Sequence, residues 1–184
     1  GCGILCVMNA YTFLAPPQIV FGWGRRHEVG RLAASLGERV WLLSGSRTLE
    51  RGGVVAQMVE ALRAAGLKVE QFEAAHHEPE VADVDRLARQ WRNRGAGPGD
   101  CVVAIGGGST LDLAKAAAAL VNNRHGDSVV DYLEGVGKGC QITEPPLPLL
   151  AMPTTAGTGT EATKNAVISS YAPPFKKSLR SDQM

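Results

Sequence analysis

Short apolar runs alternate along this chain with segments whose apolar residues repeat at helical spacing, and this alternation restricts the folds open to it. The run at 40–43 is typical of a buried strand. It is followed by Val55, Met58, Val59 and Leu62, which recur at i, i+3, i+4 and i+7. Strands that alternate with helices build a parallel sheet covered on both faces. The sequence therefore predicts an α/β fold in which a parallel sheet is flanked by helices.

The same patterns locate the other elements. Further strands are predicted at Ile19–Phe21, Lys68–Phe72, Cys101–Ile105 and Leu149–Met152. Helices are predicted at 29–36, at 55–62, from Pro79 through Trp91 and at 110–121.

Composition excludes several classes of protein. Nineteen Lys and Arg against eighteen Asp and Glu leave a net charge of +1, with the two signs interspersed. The chain therefore lacks the basic stripe that nucleic-acid binding requires. It also lacks a segment long and apolar enough to cross a membrane, and its first residues lack the pattern of a secretory peptide. The four cysteines form no CxxC pair, so we expect a cytoplasmic protein with reduced thiols.

Residues 1–10 stand apart from the alternating pattern. We predict that they are an N-terminal extension or tag, because Met8 has the position of a native start; a natural N-terminal segment is the alternative. Residues 11–184 are predicted to form the α/β domain.

A glycine-rich turn, Gly106-Gly107-Gly108-Ser109, lies directly between a buried strand and a helix. Glycine permits positive φ and a close approach of ligand to backbone, and the free N–H groups at a helix start attract a diphosphate. Ser109 is predicted to cap the helix, with Asp112 as the acidic partner in a capping box. The alternative is a turn that merely connects strand to helix.

Neither of the two most familiar phosphate motifs is present in this sequence. The chain contains neither GxxxxGK[ST] nor GxGxxG. Lys115 follows Ser109 by six positions, and its long stem is compatible with reaching the phosphates. Taken alone, however, Lys115 is expected to be an ordinary solvated lysine.

A second loop, residues 153–161, follows another apolar strand and carries four threonines and two glycines. Hydroxyl groups beside exposed N–H groups suit phosphate and ribose, although threonines that stabilise the loop itself are the alternative. Parallel sheets bind ligands beyond the carboxyl ends of their strands. We therefore expect the two loops to meet at one edge of the sheet.

Both motifs resemble those of the iron-containing (group III) alcohol dehydrogenases, over essentially the whole chain after Met8. Gly106-Gly107-Gly108-Ser109-x-x-Asp112-x-Ala114-Lys115 is similar to the family's GGGSxxDxAK. Pro153–Glu161 is similar to its PTTAGTGSE, with Thr160 in place of serine, and Phe13 through Gly24 is similar to its first strand.

The resemblance implies a Rossmann-like domain, the N-terminal domain of the dehydroquinate synthase-like or iron-alcohol dehydrogenase fold, which binds NAD or NADP. In the family, a helical domain follows whose Asp and His residues hold Fe²⁺ or Zn²⁺. The activity implied is hydride transfer between NAD(P) and a small alcohol or aldehyde, with the metal as Lewis acid. The metal ligands are expected beyond residue 184, so no residue here is assigned to metal or catalysis. We expect no turnover from this chain alone, and a homodimer is left open.

Residue-by-residue matching assigns the cofactor site. The pyrophosphate would be held by Gly106, Gly107, Gly108 and Ser109, and phosphate or nicotinamide by Thr154, Thr155 and Thr158. Further cofactor-binding positions are matched by Asp112, Thr163, Asn165 and Lys176. Glu78-Pro79 replaces the Asn-Pro of many members, which leaves the adenine side unassigned.

The stretch Ser44-Gly45-Ser46-Arg47 bears on the choice of cofactor. NAD-preferring members often carry an aspartate at the position of Gly45, which accepts from the ribose 2′-hydroxyl and repels a 2′-phosphate. Here Gly45 removes that charge, while Ser46 and Arg47 are able to donate to a phosphate. The sequence therefore favours NADP over NAD; the alternative is a plain turn with an exposed arginine.

Two other functions are compatible with the residues. One is a stand-alone nucleotide-binding module without catalysis, which the sequence after residue 184 would distinguish by the absence of an Asp-xxx-His pair. The other is a relative resembling dehydroquinate synthase or glycerol dehydrogenase, which product analysis would separate.

Overall fold

A computed structural model describes residues 15–184, and the predicted extension at 1–10 lies outside the described residues. The strands are β1 (Arg39–Ser44), β2 (Lys68–Glu73), β3 (Asp100–Gly106), β4 (Leu149–Pro153), β5 (Asn165–Tyr171) and β6 (Pro174–Arg180). The α-helices are α1 (Val29–Ala34), α2 (Arg47–Arg51), α3 (Val54–Ala64), α4 (Val81–Asn93) and α5 (Gly108–Asn122). Short 3₁₀ helices lie at Arg25–Glu28, Val129–Tyr132 and Thr160–Ala162.

Strands β1 to β4 form a parallel sheet in the order β2-β1-β3-β4, which confirms the predicted α/β fold. The chain passes from β1 outward to β2 and then returns to the other side of β1 to form β3. The direction of winding therefore reverses between β1 and β3. The carboxyl ends of these strands, Ser44 and Gly106, flank the switch point at which open parallel sheets bind ligands.

Alternate residues of the central strands pack into two separate cores. Val40 and Leu42 of β1 join the core that contains α1 and α3. Trp41 and Leu43 join the core that contains α4 and α5. Because both faces of the sheet are covered, the central strands are apolar between their ends, over Val40–Leu43 and Cys101–Ile105, and this is why short apolar runs located them.

Helix boundaries follow local capping. Helix α4 begins at Val81, two residues after the predicted start at Pro79, because Glu80 and Asp83 form a reciprocal capping box there. Helix α5 is 15 residues long and buried on nearly all sides. Among residues 15–184, no helix is both long and apolar enough to cross a membrane.

The strand predicted at Ile19–Phe21 is wrong in the described structure. These residues have no regular secondary structure, and Ile19 and Phe21 are 74% and 93% exposed. A strand is held by hydrogen bonds to a neighbour, and within residues 15–184 no strand pairs with this segment. The short apolar run alone was insufficient to define a strand.

The hairpin formed by β5 and β6 was not predicted from the sequence. Its strands pair antiparallel from Asn165–Arg180 to Tyr171–Pro174, and Ala166, Ile168 and Leu179 pack into the α4 and α5 core. The connection lacks the Asn-Gly or Asp-Gly signal of a tight hairpin, and β6 contains adjacent lysines. The hairpin is therefore defined by its packing against α5.

Helices α1 and α3 are in close contact at Gly30. A Cβ atom on Gly30 would lie 2.4 Å from the Ala61 carbonyl oxygen and 3.1 Å from the Ala65 Cβ. Since backbone atoms cannot move aside as a flexible side chain does, the two helices would have to separate.

We expect Gly30→Ala to lower the free energy of unfolding by about 1–3 kcal/mol, the usual cost of overpacking a core. Gly97→Ala is the matched control, because a Cβ atom on Gly97 has no heavy atom within 4 Å. Thermal and denaturant unfolding of both variants measures the difference. Equal stability of the two variants would contradict the close packing described.

Candidate functional site

The two loops predicted to bind a ligand lie side by side at the carboxyl edge of the sheet. Pairing of β3 with β4 continues past the strand end, where the Thr154 N–H donates to the Gly106 carbonyl at 2.9 Å. A Cβ atom on Gly107 would lie 3.4 Å from Thr155 Oγ1. A Cβ atom on Gly108 would lie 3.1 Å from Thr158 Cβ. The expected meeting of the loops is thus present.

The first turn of α5 presents backbone donors beside the second loop. The N-cap is Gly107, and the first bond of the helix runs from the Leu111 N–H to the Gly107 carbonyl at 3.2 Å. The N–H groups from Gly107 through Thr110 therefore have no acceptor within the helix. Together with the positive end of the helix dipole, they suit a phosphate anion.

Two details of the predicted glycine turn are wrong. Ser109 lies inside α5 and Asp112 is not its capping partner, because the cap position is Gly107, which makes no side-chain capping bond. The glycines from 106 to 108 are also absent from the positive-φ residues. They are required by close approach instead, since side chains there would collide with Thr110 or crowd Thr155 and Thr158.

Lys115 is buried, contrary to the expectation of a solvated lysine. It is 6% exposed, and its Nζ donates to the Thr163 carbonyl and, at 3.0 Å, to the Asn165 carbonyl. One turn earlier on the same helix, Asp112 is 8% exposed and faces the Val167 N–H and the Thr160 hydroxyl. The two side chains hold residues 160–167, which begin at the end of the second loop, against α5.

Burial shifts the pKa values of both Asp112 and Lys115. Removal from water raises the pKa of Asp112 to about 6, against the lowering effect of the Val167 N–H, the Lys115 charge and the Thr160 hydroxyl. Burial lowers the pKa of Lys115, while the charges of Asp112 and Glu161 raise it.

Glu161 completes this buried group, and sequence reasoning gave it no role. Its Oε2 atom is buried without a hydrogen-bond partner among residues 15–184. A carboxylate oxygen in that position is costly unless a cation lies nearby, and the Lys115 ammonium supplies one. The signal available in the sequence was its place at the end of the second motif.

The predicted cofactor residues after the second loop fall into two groups. The backbone carbonyls of Thr163 and Asn165 accept hydrogen bonds from Lys115. Lys176 on β6 instead donates to Glu78 Oε1 at 2.6 Å, and Ser169 donates to Glu78 Oε2 at 3.1 Å. The Lys176 pair holds the pKa of Glu78 below its usual range. Glu78 thus ties the loop before α4 to the hairpin.

The other predicted residues lie at the end of β1. The Gly45 N–H donates to the Ile105 carbonyl at 3.0 Å, and Ser46 Oγ caps α2 by accepting from the Leu49 N–H at 3.4 Å. Ser44 donates to Glu50 Oε1 at 2.7 Å. A cavity of about 250 Å³ opens beside Ser44 and Glu50. Gly45 and Ser46 are therefore adjacent to the glycine turn at the switch point.

The described residues do not bring together a set of metal ligands. Among residues 15–184, no group of three or more His, Cys, Asp and Glu side chains is close enough to hold a metal ion. The side chains of His27, His76, His77 and His125 are all exposed.

Comparisons with known proteins agree with the geometry. The family model described as iron-containing alcohol dehydrogenase matches residues 16–184. The chain is 34% identical over 164 residues to the probable alcohol dehydrogenase EutG of Escherichia coli, covering 89% of this chain and 39% of that protein. It is also 34% identical to the NAD-dependent methanol dehydrogenase of Bacillus methanolicus, covering 90% and 41%.

The fold is shared with solved structures. The crystal structure of the NADH-dependent butanol dehydrogenase A from Thermotoga maritima superposes with a TM-score of 0.80 at 30% identity, covering 95% of this chain and 42% of that one. The chain thus spans about two fifths of the length of these relatives.

Asp112 should make the stability of the protein depend on pH. Its folded pKa of about 6 exceeds the ordinary aspartate value of 3.8, so its protonated form favours the folded state. This contribution is complete below about pH 4 and is lost as the pH rises through 6, by up to about 3 kcal/mol. We expect the unfolding free energy of wild type minus that of Asp112→Asn to fall over this window. A difference that does not vary between pH 4 and 7 would contradict the buried carboxyl.

Lys115 should contribute much more to stability than an exposed lysine. Lys115→Met leaves the Thr163 and Asn165 carbonyls without their donor, so we expect a loss of about 2–4 kcal/mol. The control is Lys164→Met, since Lys164 pairs with Asp182 at the surface and exposed pairs contribute about 0–1 kcal/mol. Denaturant unfolding measures both, and similar losses would show that the Lys115 contacts are not important.

Proposed function

Because this chain belongs to the iron-containing alcohol dehydrogenase family, we propose that residues 11–184 bind NAD(P) for hydride transfer with a small alcohol or aldehyde. The observation that carries the proposal is the contact between the glycine turn and the second loop. Gly107 lies against Thr155 and Gly108 against Thr158, at the switch point of the sheet. Open parallel sheets bind dinucleotides at such points.

The residues present fit a dinucleotide. Side chains at Gly107 or Gly108 would fill the gap between the loops, so glycine there leaves room for a pyrophosphate to reach the backbone. The N–H groups of Gly107, Gly108 and Ser109, which have no acceptor within α5, would bind the phosphate oxygens. The exposed hydroxyls of Thr154, Thr155 and Thr158 would donate to phosphate or to the nicotinamide half.

The bound nicotinamide supplies the hydride donor or acceptor. The residues of this chain would orient that ring and offset the charge of the pyrophosphate. Asp112 and Lys115 would act indirectly, by holding 160–167 in place, and Thr163 and Asn165 would present their side chains from that fixed backbone. The metal named in the family finds no set of ligands in residues 15–184, so the role proposed for these residues is confined to the cofactor.

Lys176 would contact the cofactor from its position next to Glu78, the carboxylate with which it pairs. Its ammonium is bound to Glu78 and its side chain is 57% exposed, so it is able to reorient toward a phosphate. Glu78 therefore competes with the cofactor for Lys176, and this distinguishes the chain from relatives with asparagine at that position.

NADP is the cofactor that we propose for this chain. The named relatives include NAD-dependent and NADH-dependent enzymes, so use of a nicotinamide dinucleotide is common in the group. In this chain the position after β1 is Gly45, and it is followed by Ser46 and the exposed Arg47. An arginine and a hydroxyl suit a 2′-phosphate, whereas an aspartate would repel it.

The proposed setting is the cytoplasm, with small molecules as partners. Cys101 and Cys140 are free thiols, which suits a reducing compartment. Assembly as a homodimer stays a prediction.

Cofactor binding can be tested directly on the 184-residue chain. We expect calorimetric titration to detect NADP⁺ binding in wild type, and Gly108→Val to weaken it at least about tenfold, because the added methyl groups displace Thr158. Gly97→Ala, in open space away from both loops, is the control and should bind as wild type does. Failure of wild type to bind either NAD⁺ or NADP⁺ would refute the proposal.

A further inference from the structure

The side chain of Thr110 bridges the ends of the two strands at the switch point. It lies in the first turn of α5 and is 5% exposed. A Cβ atom on Gly106 would lie 2.4 Å from its Oγ1, and a Cβ atom on Gly45 would lie 1.9 Å from the same atom. One side chain therefore occupies the space above both strand ends.

Neither partner is free to move away. The Gly45 N–H remains bonded to the Ile105 carbonyl, which continues the β1–β3 pairing beyond Ser44. A β-branched residue in a helix has restricted χ1 rotation. Even after rotation, Thr110 Cβ would lie 3.0 Å from a Cβ atom on Gly45, which is well inside ordinary contact distance.

We infer that Thr110 determines the choice of dinucleotide by excluding any side chain, and an aspartate in particular, from position 45. This inference rests on the proposed function and deepens it. An aspartate there would accept from a ribose 2′-hydroxyl and repel a 2′-phosphate. With Thr110 in place, that edge carries no carboxylate at position 45, and a 2′-phosphate meets Ser46 and Arg47 instead.

Glu50 is an acidic residue at this edge, and Glu73 at the end of β2 lines the same cavity. Its carboxylate accepts from Ser44 Oγ. Successive residues of a strand point to opposite faces, so Ser44 faces the side of Leu42 and α3, while position 45 faces Thr110 on α5. Glu50 therefore lies on the opposite face from position 45.

The experiment combines binding and melting of the 184-residue chain. Five proteins are titrated with NAD⁺ and with NADP⁺. They are wild type, Gly45→Asp, Thr110→Gly, the double variant Thr110→Gly/Gly45→Asp and the isosteric control Thr110→Val/Gly45→Asp. We expect NADP⁺ to bind wild type about tenfold more tightly than NAD⁺, and the preference to reverse by at least about tenfold in Thr110→Gly/Gly45→Asp.

Melting temperatures measure, without any ligand, whether Thr110 excludes a side chain from position 45. Gly45→Asp and Thr110→Val/Gly45→Asp should both melt well below wild type, whereas Thr110→Gly/Gly45→Asp should melt near Thr110→Gly. A Gly45→Asp variant that keeps the wild-type melting temperature and reverses the preference by itself would overturn the inference. So would a Glu50→Gln variant that strengthens the preference for NADP⁺ as much as the double variant weakens it, because Glu50 would then be the carboxylate that governs the 2′-phosphate.

The role of Thr110 and the proposed function can be refuted separately. If wild type binds a dinucleotide and the double variant leaves the preference unchanged, the role of Thr110 is refuted and the proposed function stands. If wild type binds neither dinucleotide, the proposed function fails and the selectivity role fails with it. The melting temperatures then still decide whether Thr110 excludes a side chain from position 45.

Discussion

The buried ammonium of Lys115 is the interaction on which the arrangement of the candidate site depends. By donating to the Thr163 and Asn165 carbonyls, it fixes the far end of the second loop to the helix that carries the glycine turn. The near end is fixed by the pairing of β3 with β4. With both ends held, Thr155 and Thr158 lie beside Gly107 and Gly108 without a direct hydrogen bond having to hold them there.

This arrangement uses buried charge in place of apolar packing. Lys115, Asp112 and Glu161 are close in a region where charges are costly unless they are paired or hydrogen bonded. Backbone carbonyls, a backbone N–H and a hydroxyl provide those partners for Lys115 and Asp112, and the Lys115 charge offsets that of Glu161. Hydrogen bonds are directional, so these contacts specify one register between α5 and the hairpin. The apolar contacts of Ala166 and Ile168 alone would specify that register less sharply.

The glycines of the site follow from a second constraint, the lack of space. Gly45, Gly106, Gly107 and Gly108 are each opposed by a threonine side chain, and none of them has positive φ. Glycine is needed at these positions because a Cβ atom there would meet the threonine side chains. This leaves the backbone N–H groups of the first turn of α5 accessible beside the threonine hydroxyls, and it couples the residue after β1 to a residue on α5.

Much of the fold could be predicted from periodicity, because burial on both faces leaves a nearly continuous apolar run in β1, β3 and β4 and an apolar stripe in α3 and α4. The hairpin could not, since β6 is largely polar and is stabilised by α5 and its own partner. The short apolar run at Ile19–Phe21 was misleading for the converse reason, because within residues 15–184 no strand lies beside it.

The sequence by itself determined the parallel α/β architecture and the two loops, because strand and helix periods and glycine-rich turns are local properties of the chain. Tertiary structure alone decided that Lys115 is buried, that Lys176 pairs with Glu78, and that Thr110 lies over Gly45. Each of these depends on residues brought together from distant segments, and no local pattern records the distance between them.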